Sequence, residues 1–395
     1  MQSACYSVLR RAATAILLVI ACCVGGCAPG VEATQVTLLR TPDGGIQPQA
    51  ALAANGVLHL IYFKGEPLGG DIFYVRRAPG QDTFSAPIRV NSQAGSAVAT
   101  GTVRGAQLAI GKDNSLHVAW NGSGSATPKG PGGNPMLYSR LNPDGTAFEP
   151  QRNLVTRAGG LDGGGTIAAD AQGRVYVSWH ADPEERGEAE RAVYLARSSD
   201  NGATFEREKR INDQPTGACG CCAMRAFVDD KGAVYILYRA AGGGADRDMT
   251  LLVSNDHGAT FRSGTVHKWN IGTCPMSSAA FAQNGDKILM AWETREQVYF
   301  TGMRPSVAKR DSQQPLAAPG AAEGRKHPVL AANAAGETLL AWTEGTGWMR
   351  GGSLAWQIYD KAGKPTAHKG RSGGVPVWSL LAAFTQPDGD FVLVY

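Results

Sequence analysis

The stretch AQLAIGKDNSLHVAW, residues 106–120, decides the fold because its pattern recurs along the chain. Small and apolar residues lead into a turn rich in glycine, asparagine or aspartate, and alternating apolar residues then end in an aromatic. Each copy is typical of a β-hairpin, since residues two apart share one face of a strand. Seven copies have their anchoring aromatics at Tyr62, Trp120, Trp179, Tyr238, Trp292, Trp342 and Tyr395, which are 58, 59, 59, 54, 50 and 53 residues apart.

The segments between these copies hold two further strand-like pieces, so each repeat has about four strands. A four-stranded unit repeated around an axis is typical of a β-propeller. Seven hairpins favour seven blades, although six remain possible if one hairpin is a decoration. The last copy stops at Tyr395 with two strands, and residues 33–40 are therefore expected to add an outer strand to it. We predict an all-β propeller of four-stranded antiparallel blades over residues 33–395.

Composition agrees with a turn-rich globular protein that does not bind nucleic acid. Glycine accounts for 51 of the 395 residues, well above its usual share of about 7%. The formal net charge is only +4, and no segment has the clustered lysine and arginine that bind a phosphate backbone.

Residues 1–26 are predicted to be an export signal. Two arginines precede an apolar run over residues 12–24, which is shorter than the roughly 20 residues that span a bilayer. The sequence Val-Gly-Gly-Cys ending at Cys27 resembles a bacterial lipobox, and the alternative is an ordinary cleaved signal with an incidental cysteine. With alanine at position 28, the resemblance implies an outer-membrane lipoprotein. Residues 27–32 would be the lipidated linker, and the propeller would face the periplasm.

Two octapeptides resemble the Asp box of the sialidase superfamily. Residues 198–205 and 254–261 both fit the pattern S-x-D-x-G-x-T-F and occupy the same place in successive repeats. The resemblance implies a sialidase-like propeller, with each box on the turn between third and fourth strands and opposite the active site. The box is evidence for fold and not for catalysis. Its expected structural residues are Asp200, Gly202, Phe205, Asp256, Gly258 and Phe261.

The catalytic residues of sialidases are not plainly retained. The superfamily holds a substrate carboxylate with three arginines and uses a tyrosine nucleophile, but residues 45–49 lack the first arginine. Arg104, Arg225 and Arg325 precede inner strands of alternate repeats and could converge on an anion; alternatively, they cap blade ends or form surface salt bridges. Trp378 lies where the tyrosine is expected and could stack on a sugar. Glu293 could be an acid/base or a solvated carboxylate.

A cysteine cluster is the most specific local feature. Cys219, Cys221 and Cys222 precede the fourth inner strand and Cys274 precedes the fifth, so all four are expected on the ligand-binding face. Three interpretations stay open: two disulfides, for instance Cys219 or Cys222 with Cys274 and the other two paired locally; a soft-metal site for copper or zinc; or a redox-active thiol pair. Met224, Met276 and His180 are the expected additional metal ligands.

Together these patterns predict a ligand-binding propeller whose site lies at the channel mouth. Arg225, His180 and Trp378 are the expected binding residues, for a glycan or a small anion. The alternatives are a sialidase-type glycoside hydrolase and a periplasmic copper-binding protein. The sequence identifies no protein partner.

Overall fold

Alternation in the repeated hairpins produces pairs of antiparallel strands. In the third copy, Thr166–Ala169 pairs with Val175–Ala181, and Ile167 lies opposite Val177. The computed structural model describes residues 34–212, 216–304, 314–321 and 324–395, and the compact unit begins at Thr34. The predicted signal segment and Cys27 lie outside the described residues.

Six blades each consist of four strands in sequence order. Blade 1 contains β2 (Ile46–Leu52), β3 (Leu58–Lys64), β4 (Asp71–Arg77) and β5 (Ile88–Arg89); blade 2 contains β6 (Gln107–Ile110), β7 (Leu116–Asn121), β8 (Met136–Arg140) and β9 (Arg152–Asn153); blade 3 contains β10 (Thr166–Ala169), β11 (Val175–Ala181), β12 (Ala192–Ser198) and β13 (Lys209–Arg210). Blade 4 contains β14 (Arg225–Val228), β15 (Val234–Arg239), β16 (Met249–Ser254) and β17 (Arg262–His267); blade 5 contains β18 (Ala279–Asn284), β19 (Lys287–Thr294), β20 (Gln297–Met303) and β21 (Leu316–Ala317); blade 6 contains β22 (Arg325–Ala332), β23 (Thr338–Glu344), β24 (Gly352–Tyr359) and β25 (Pro365–Val375).

The seventh blade closes the ring with strands from both ends of the described chain. It contains β26 (Ala382–Thr385), β27 (Phe391–Val394) and β1 (Val36–Leu39). Seven blades and the outer strand from residues 33–40 are therefore confirmed. This blade has three strands, as the two-stranded last copy and the added outer strand implied, and β1 pairs with β27 in parallel, unlike the antiparallel pairs of the other blades. No hairpin joins these two strands, so nothing forces them to run in opposite directions.

The first strands of the blades surround a central channel. Each of them contacts the first strand of the next blade, and the contact between β2 and β26 completes the circle. The aromatic residues at the hairpin ends pack between blades: Trp120, Trp179 and Trp292 are fully buried. In the described part of the chain, helix is limited to three 3₁₀ turns, Pro42–Gly44, Lys112–Asn114 and Gly242–Gly244. No helix among those residues is long and apolar enough to cross a membrane.

The two octapeptides form turns between the third and fourth strands of blades 3 and 4. The Asp200 carboxylate accepts hydrogen bonds from the Thr204 backbone N–H at 2.8 Å and hydroxyl at 2.6 Å, and these bonds lower its pKa to about 2. Asp256 accepts the same two bonds from Thr260, at 2.9 and 2.6 Å.

The other box residues fix the backbone and the packing. Gly202 and Gly258 both have φ of +77°, in the region that favours glycine. Phe205 packs edge-on against Tyr138 of the preceding blade, with 4.8 Å between ring centroids, and Phe261 packs against the core between blades 3 and 4. The boxes therefore join neighbouring blades.

Candidate functional site

A cavity opens at the end of the central channel where the first strands begin. Its volume is about 450 Å³ when the solvent-open space at its entrance is included. Strand β2 contributes two glutamines and strand β22 contributes His327, Pro328 and Val329. The first residues of β6, β14 and β18, with the loops before these strands and before β26, contribute the rest of the lining. A smaller depression beside it is bordered by Lys326, His327, Trp348 and Trp378.

The backbone is unusual around this mouth. Gln47, Thr102, Met276, His327 and Trp378 all have positive φ, between +46° and +67°, although none is glycine. The pairing register of β2 shifts between Ile46 and Gln49, and that of β22 shifts between Lys326 and Val329. Such irregularities redirect side chains, and strained non-glycine residues concentrate at functional sites. The mouth is therefore the strongest candidate site on conformation alone.

Arg225 supplies the cavity's positive charge. Its Nη1 donates to the side-chain oxygens of Gln49 at 2.9 Å and Gln107 at 2.8 Å. Among the described residues, these amides are its hydrogen-bond partners and none is a carboxylate. Burial lowers its pKa to about 10, so the guanidinium remains protonated at neutral pH. A guanidinium held by neutral oxygens keeps its charge available to an anion.

Two further polar atoms near the mouth lack hydrogen bonds within the described part of the chain. Gln47 uses its Nε2 to donate to the carbonyls of Ala99 at 2.6 Å and Trp378 at 2.8 Å, but its buried Oε1 accepts nothing. The indole N–H of Trp378 is likewise buried without an acceptor. Buried polar atoms of this kind are costly unless something else satisfies them.

Aromatic surface borders the same mouth. Trp348 is 54% exposed and packs edge-on against Trp378, with ring centroids 5.9 Å apart. His327 is buried beside them and hydrogen-bonds to Ser278 at 3.1 Å. Burial, together with the charge of Lys326, lowers the pKa of His327 to about 3, so its ring is neutral at physiological pH.

The three predicted arginines do not converge. Arg104 pairs with Asp162, whose backbone carbonyl it also contacts at 2.7 Å. Arg325 pairs with Glu344 at 3.3 Å and lies over the Trp342 ring, away from the channel. Of the three, only Arg225 lines the cavity. Asp162 lies 58 residues from Arg104, so that pairing could not be inferred from the repeat, whereas Glu344 lies directly opposite Arg325 in the same hairpin.

Glu293 and His180 are buried outside the cavity lining. Glu293 accepts the Glu296 backbone N–H at 3.1 Å, and burial raises its pKa. His180 lies in β11, and burial, with Arg191 nearby, lowers its pKa to about 4. Neither side chain is exposed to a ligand in the cavity.

The cysteines lie on the mouth face between blades 4 and 5. Cys221 and Cys274 form a disulfide with 6.2 Å between their Cα atoms, whereas Cys219 and Cys222 are buried free thiols. The suggested pairing of Cys219 or Cys222 with Cys274 is therefore wrong. Cys219 and Cys222 direct their sulfurs toward each other, 3.5 Å apart, and the intervening Cys221 reaches the neighbouring loop.

The two thiols differ in acidity because they share a hydrogen bond. Cys219 donates to Cys222, which raises the pKa of Cys219, and burial raises it further. Burial opposes ionisation of Cys222, but that hydrogen bond, Arg239 and Ser277 together lower its pKa. The sulfurs of Cys219, Cys221 and Cys222 lie within 4.8 Å of one another, although the disulfide leaves two of these three as thiols for a soft metal. Met224 and Met276 border the cavity and the depression, respectively.

No family model matches the sequence, and no curated protein matches it. Solved structures do match the fold. A Penicillium chrysogenum α-L-arabinanase complexed with arabinobiose has a TM-score of 0.54 at 12% identity, covering 84% of this chain and 98% of its own. The NanB sialidase from Streptococcus pneumoniae has a TM-score of 0.51 at 8% identity, covering 78% and 67%. A mutant α-L-arabinofuranosidase from Fusarium graminearum has a TM-score of 0.50 at 11% identity, covering 87% and 98%.

These similarities define the class: the chain has the seven-bladed, sialidase-like propeller fold. The similarity is one of fold, and the site must be interpreted from its own residues.

Sequence reasoning missed several residues of the mouth. Gln47, Gln49, Gln107 and His327 occupy the beginnings of inner strands, the same positions that drew attention to Arg225. Comparing those positions across all seven repeats would have identified them. Trp348 had no such signal, because it lies in the long loop between β23 and β24.

Proposed function

We propose that this protein binds an acidic carbohydrate at the channel mouth, with Arg225 holding its carboxylate. The observation that carries the proposal is the Arg225 guanidinium, which lies in the cavity and is held by two amide oxygens. An anion entering the cavity gains a charge-assisted hydrogen bond without first displacing an internal carboxylate.

Other groups at the mouth suit the rest of a sugar. The Gln47 Oε1 and the Trp378 indole N–H offer one acceptor and one donor, which match hydroxyl groups. The Trp348 ring gives an apolar surface against which a pyranose face can pack. A ligand that has only a carboxylate would contact Arg225. A uronic or sialic acid would contact Arg225, the polar atoms of Gln47 and Trp378, and the Trp348 ring.

Calorimetric titration with the methyl glycosides of N-acetylneuraminic acid, glucuronic acid and glucose tests this proposal. We expect at least one acidic glycoside to bind and the neutral glucoside to bind far more weakly. Arg225→Gln should lower the affinity by about 2–3 kcal/mol, roughly 30- to 150-fold. Arg89→Gln removes the same charge from the outer strand β5 and should have no effect.

Equal affinity for acidic and neutral glycosides, or an unchanged affinity in Arg225→Gln, would refute the proposal. Release of free sugar from a fluorogenic sialoside, lost in Arg225→Gln, would instead assign the sialidase-type hydrolase. A folded Arg225→Gln variant, checked by its near-ultraviolet circular dichroism, is required for either conclusion.

We propose in addition that the propeller is attached to the outer membrane through lipid on Cys27 and faces the periplasm. The support is the lipobox-like sequence ending at Cys27 and the short apolar run before it. Metabolic labelling with a tritiated fatty acid should label the wild-type protein and not Cys27→Ser. Labelling of both proteins, or of neither, would contradict the attachment.

A further inference from the structure

The four cysteines between blades 4 and 5 stand in an arrangement that a purely structural disulfide does not need. The thiol sulfur of Cys219 lies 3.4 Å from the disulfide sulfur of Cys221 and 3.5 Å from the sulfur of Cys222. Three sulfurs in contact, two of them thiols and one in a disulfide, are the reactants of thiol–disulfide exchange.

We propose that the cluster is a thiol–disulfide exchange site in which Cys219 attacks Cys221 and releases Cys274 as an accessible thiol. A new bond forms between the sulfurs of Cys219 and Cys221 while the bond between Cys221 and Cys274 breaks. The bonding electron pair leaves with the Cys274 sulfur, which becomes a thiolate. The proton of Cys219 passes to the Cys222 thiolate. The step is an isomerisation, so it consumes no oxidant or reductant.

The surroundings give each cysteine a different part in this step. Cys219 donates its hydrogen bond to Cys222, which places the proton acceptor in contact with the attacking group. Arg239 lies near Cys222 and favours its thiolate, and the Ser277 hydroxyl lies 3.7 Å from the same sulfur. Cys222 is therefore the base of this step, because it takes the proton from the attacking Cys219 sulfur.

The leaving group differs from the other cysteines in its exposure. Cys274 is exposed, whereas Cys219, Cys221 and Cys222 are 1%, 7% and 2% exposed. Exchange would therefore replace one of the two internal thiols, that of Cys219, by a surface thiol on Cys274 that a second thiol or disulfide can reach. The carboxylate of Glu188 can approach both the Cys219 and the Cys274 sulfur, and it is paired with Arg247 at 2.6 Å.

Trypsin separates the two arrangements without reduction. Cleavage after Arg210 and Arg225 puts Cys219, Cys221 and Cys222 in one peptide, and cleavage after Lys268 and Lys287 puts Cys274 in another. The two peptides are linked by the Cys221–Cys274 disulfide before exchange. After exchange they separate, the first with an internal disulfide and the second with a free Cys274.

The folded, full-length protein is exposed to N-ethylmaleimide at pH 8, and samples are quenched with acid over time. After denaturation the remaining thiols are capped with the deuterated reagent, and the protein is digested with trypsin. We expect Cys274 to acquire the first reagent while the linked peptide pair disappears at the same rate. Cys219→Ser should slow both changes at least 100-fold. Cys222→Ser should slow them about tenfold at pH 8, because the variant removes the group that accepts the Cys219 proton.

Each of the other outcomes overturns the proposal. Persistence of the linked pair, with only Cys219 and Cys222 capped after denaturation, would show a static disulfide beside two inert thiols. If no thiol reacts with either reagent, Cys219 and Cys222 would already be joined in a second disulfide. Exchange that survives Cys219→Ser would assign the attack to another sulfur. Tightly retained copper or zinc that blocks alkylation would make the cluster a metal site. Near-ultraviolet circular dichroism of both variants establishes that they fold, and glycoside binding, which uses other residues, is scored separately.

Discussion

Acid should destabilise this propeller through buried histidines, and His117 gives the clearest case. Its ring is fully buried in β7, where Nδ1 hydrogen-bonds to the Tyr138 hydroxyl at 2.7 Å and Nε2 to Ser115 at 2.9 Å. Burial, reinforced by Arg140, lowers its pKa from 6.5 to about 4. The His117 ring therefore binds a proton less readily in the folded protein than in the unfolded chain.

The sign and size of the effect follow from this difference. Stability from neutral His117 is present above about pH 6.5 and is lost as the pH falls toward 4, because the unfolded state binds more protons in that interval. At 1.36 kcal/mol per pKa unit, moving from pH 7 to pH 5 costs about 2 kcal/mol at this one side chain. His59 makes the equivalent bond to Tyr74 at 2.8 Å in blade 1 and also has a pKa of about 4, so it should contribute a similar amount.

Urea unfolding followed by tryptophan fluorescence at pH 7, 6 and 5 measures this contribution. His117→Gln keeps a polar group near Tyr138 but cannot titrate, so its loss of unfolding free energy between pH 7 and pH 5 should be about 2 kcal/mol smaller than that of the wild type. His59→Gln is the matched variant and should behave alike. If the pH dependence of His117→Gln equals that of the wild type, protonation of His117 is not the cause.

Three further predictions concern other sites. Glu208→Ala should cost about 3 kcal/mol in urea unfolding, because the carboxylate accepts the backbone N–H groups of Thr156, Arg157 and Ala158 at 2.8–3.0 Å. Burial opposes ionisation of Glu208, but these hydrogen bonds lower its pKa. Its contribution to the free energy of unfolding should therefore fade below about pH 4.5. Equal stability of the variant and the wild type at pH 7 would refute this prediction. Gly164→Ala should lower the melting temperature by several degrees or prevent folding, since a Cβ there would clash with the Val103 carbonyl oxygen, while Gly124→Ala, with open space around its Cβ, is the control. Trp348→Ala should weaken glycoside binding about tenfold in calorimetry and leave the melting temperature unchanged, because the ring is 54% exposed; an unchanged affinity would remove it from the site.

The architecture was predictable because it depends on local patterns repeated seven times. Each hairpin specifies its own turn and its own buried face, and the aromatic at its end packs against the preceding blade. Repetition makes a single ambiguous copy unimportant. The closing strand was also predictable, since the last copy lacked outer strands. The parallel direction of Val36–Leu39 was not, because no turn connects it to its partner.

The site was less predictable because it depends on contacts between distant residues. Arg104, Arg225 and Arg325 have similar positions in their repeats and differ in the groups that they contact. Arg104 contacts Asp162, Arg225 contacts two glutamines, and Arg325 contacts Glu344. The disulfide raises the same difficulty. Cys221 and Cys222 are adjacent, and the side chain that reaches Cys274 is decided by the path of the loop.

The pairing of the first strand with the last also fixes how the propeller is presented. β27 runs from the turn end of its hairpin toward the cavity mouth, and β1 runs beside it in the same direction, from Val36 opposite Phe391 to Leu39 opposite Val394. The chain therefore enters the propeller on the face away from the mouth. The start of the described chain at Thr34 and the opening at Arg225 therefore lie on opposite faces of the propeller.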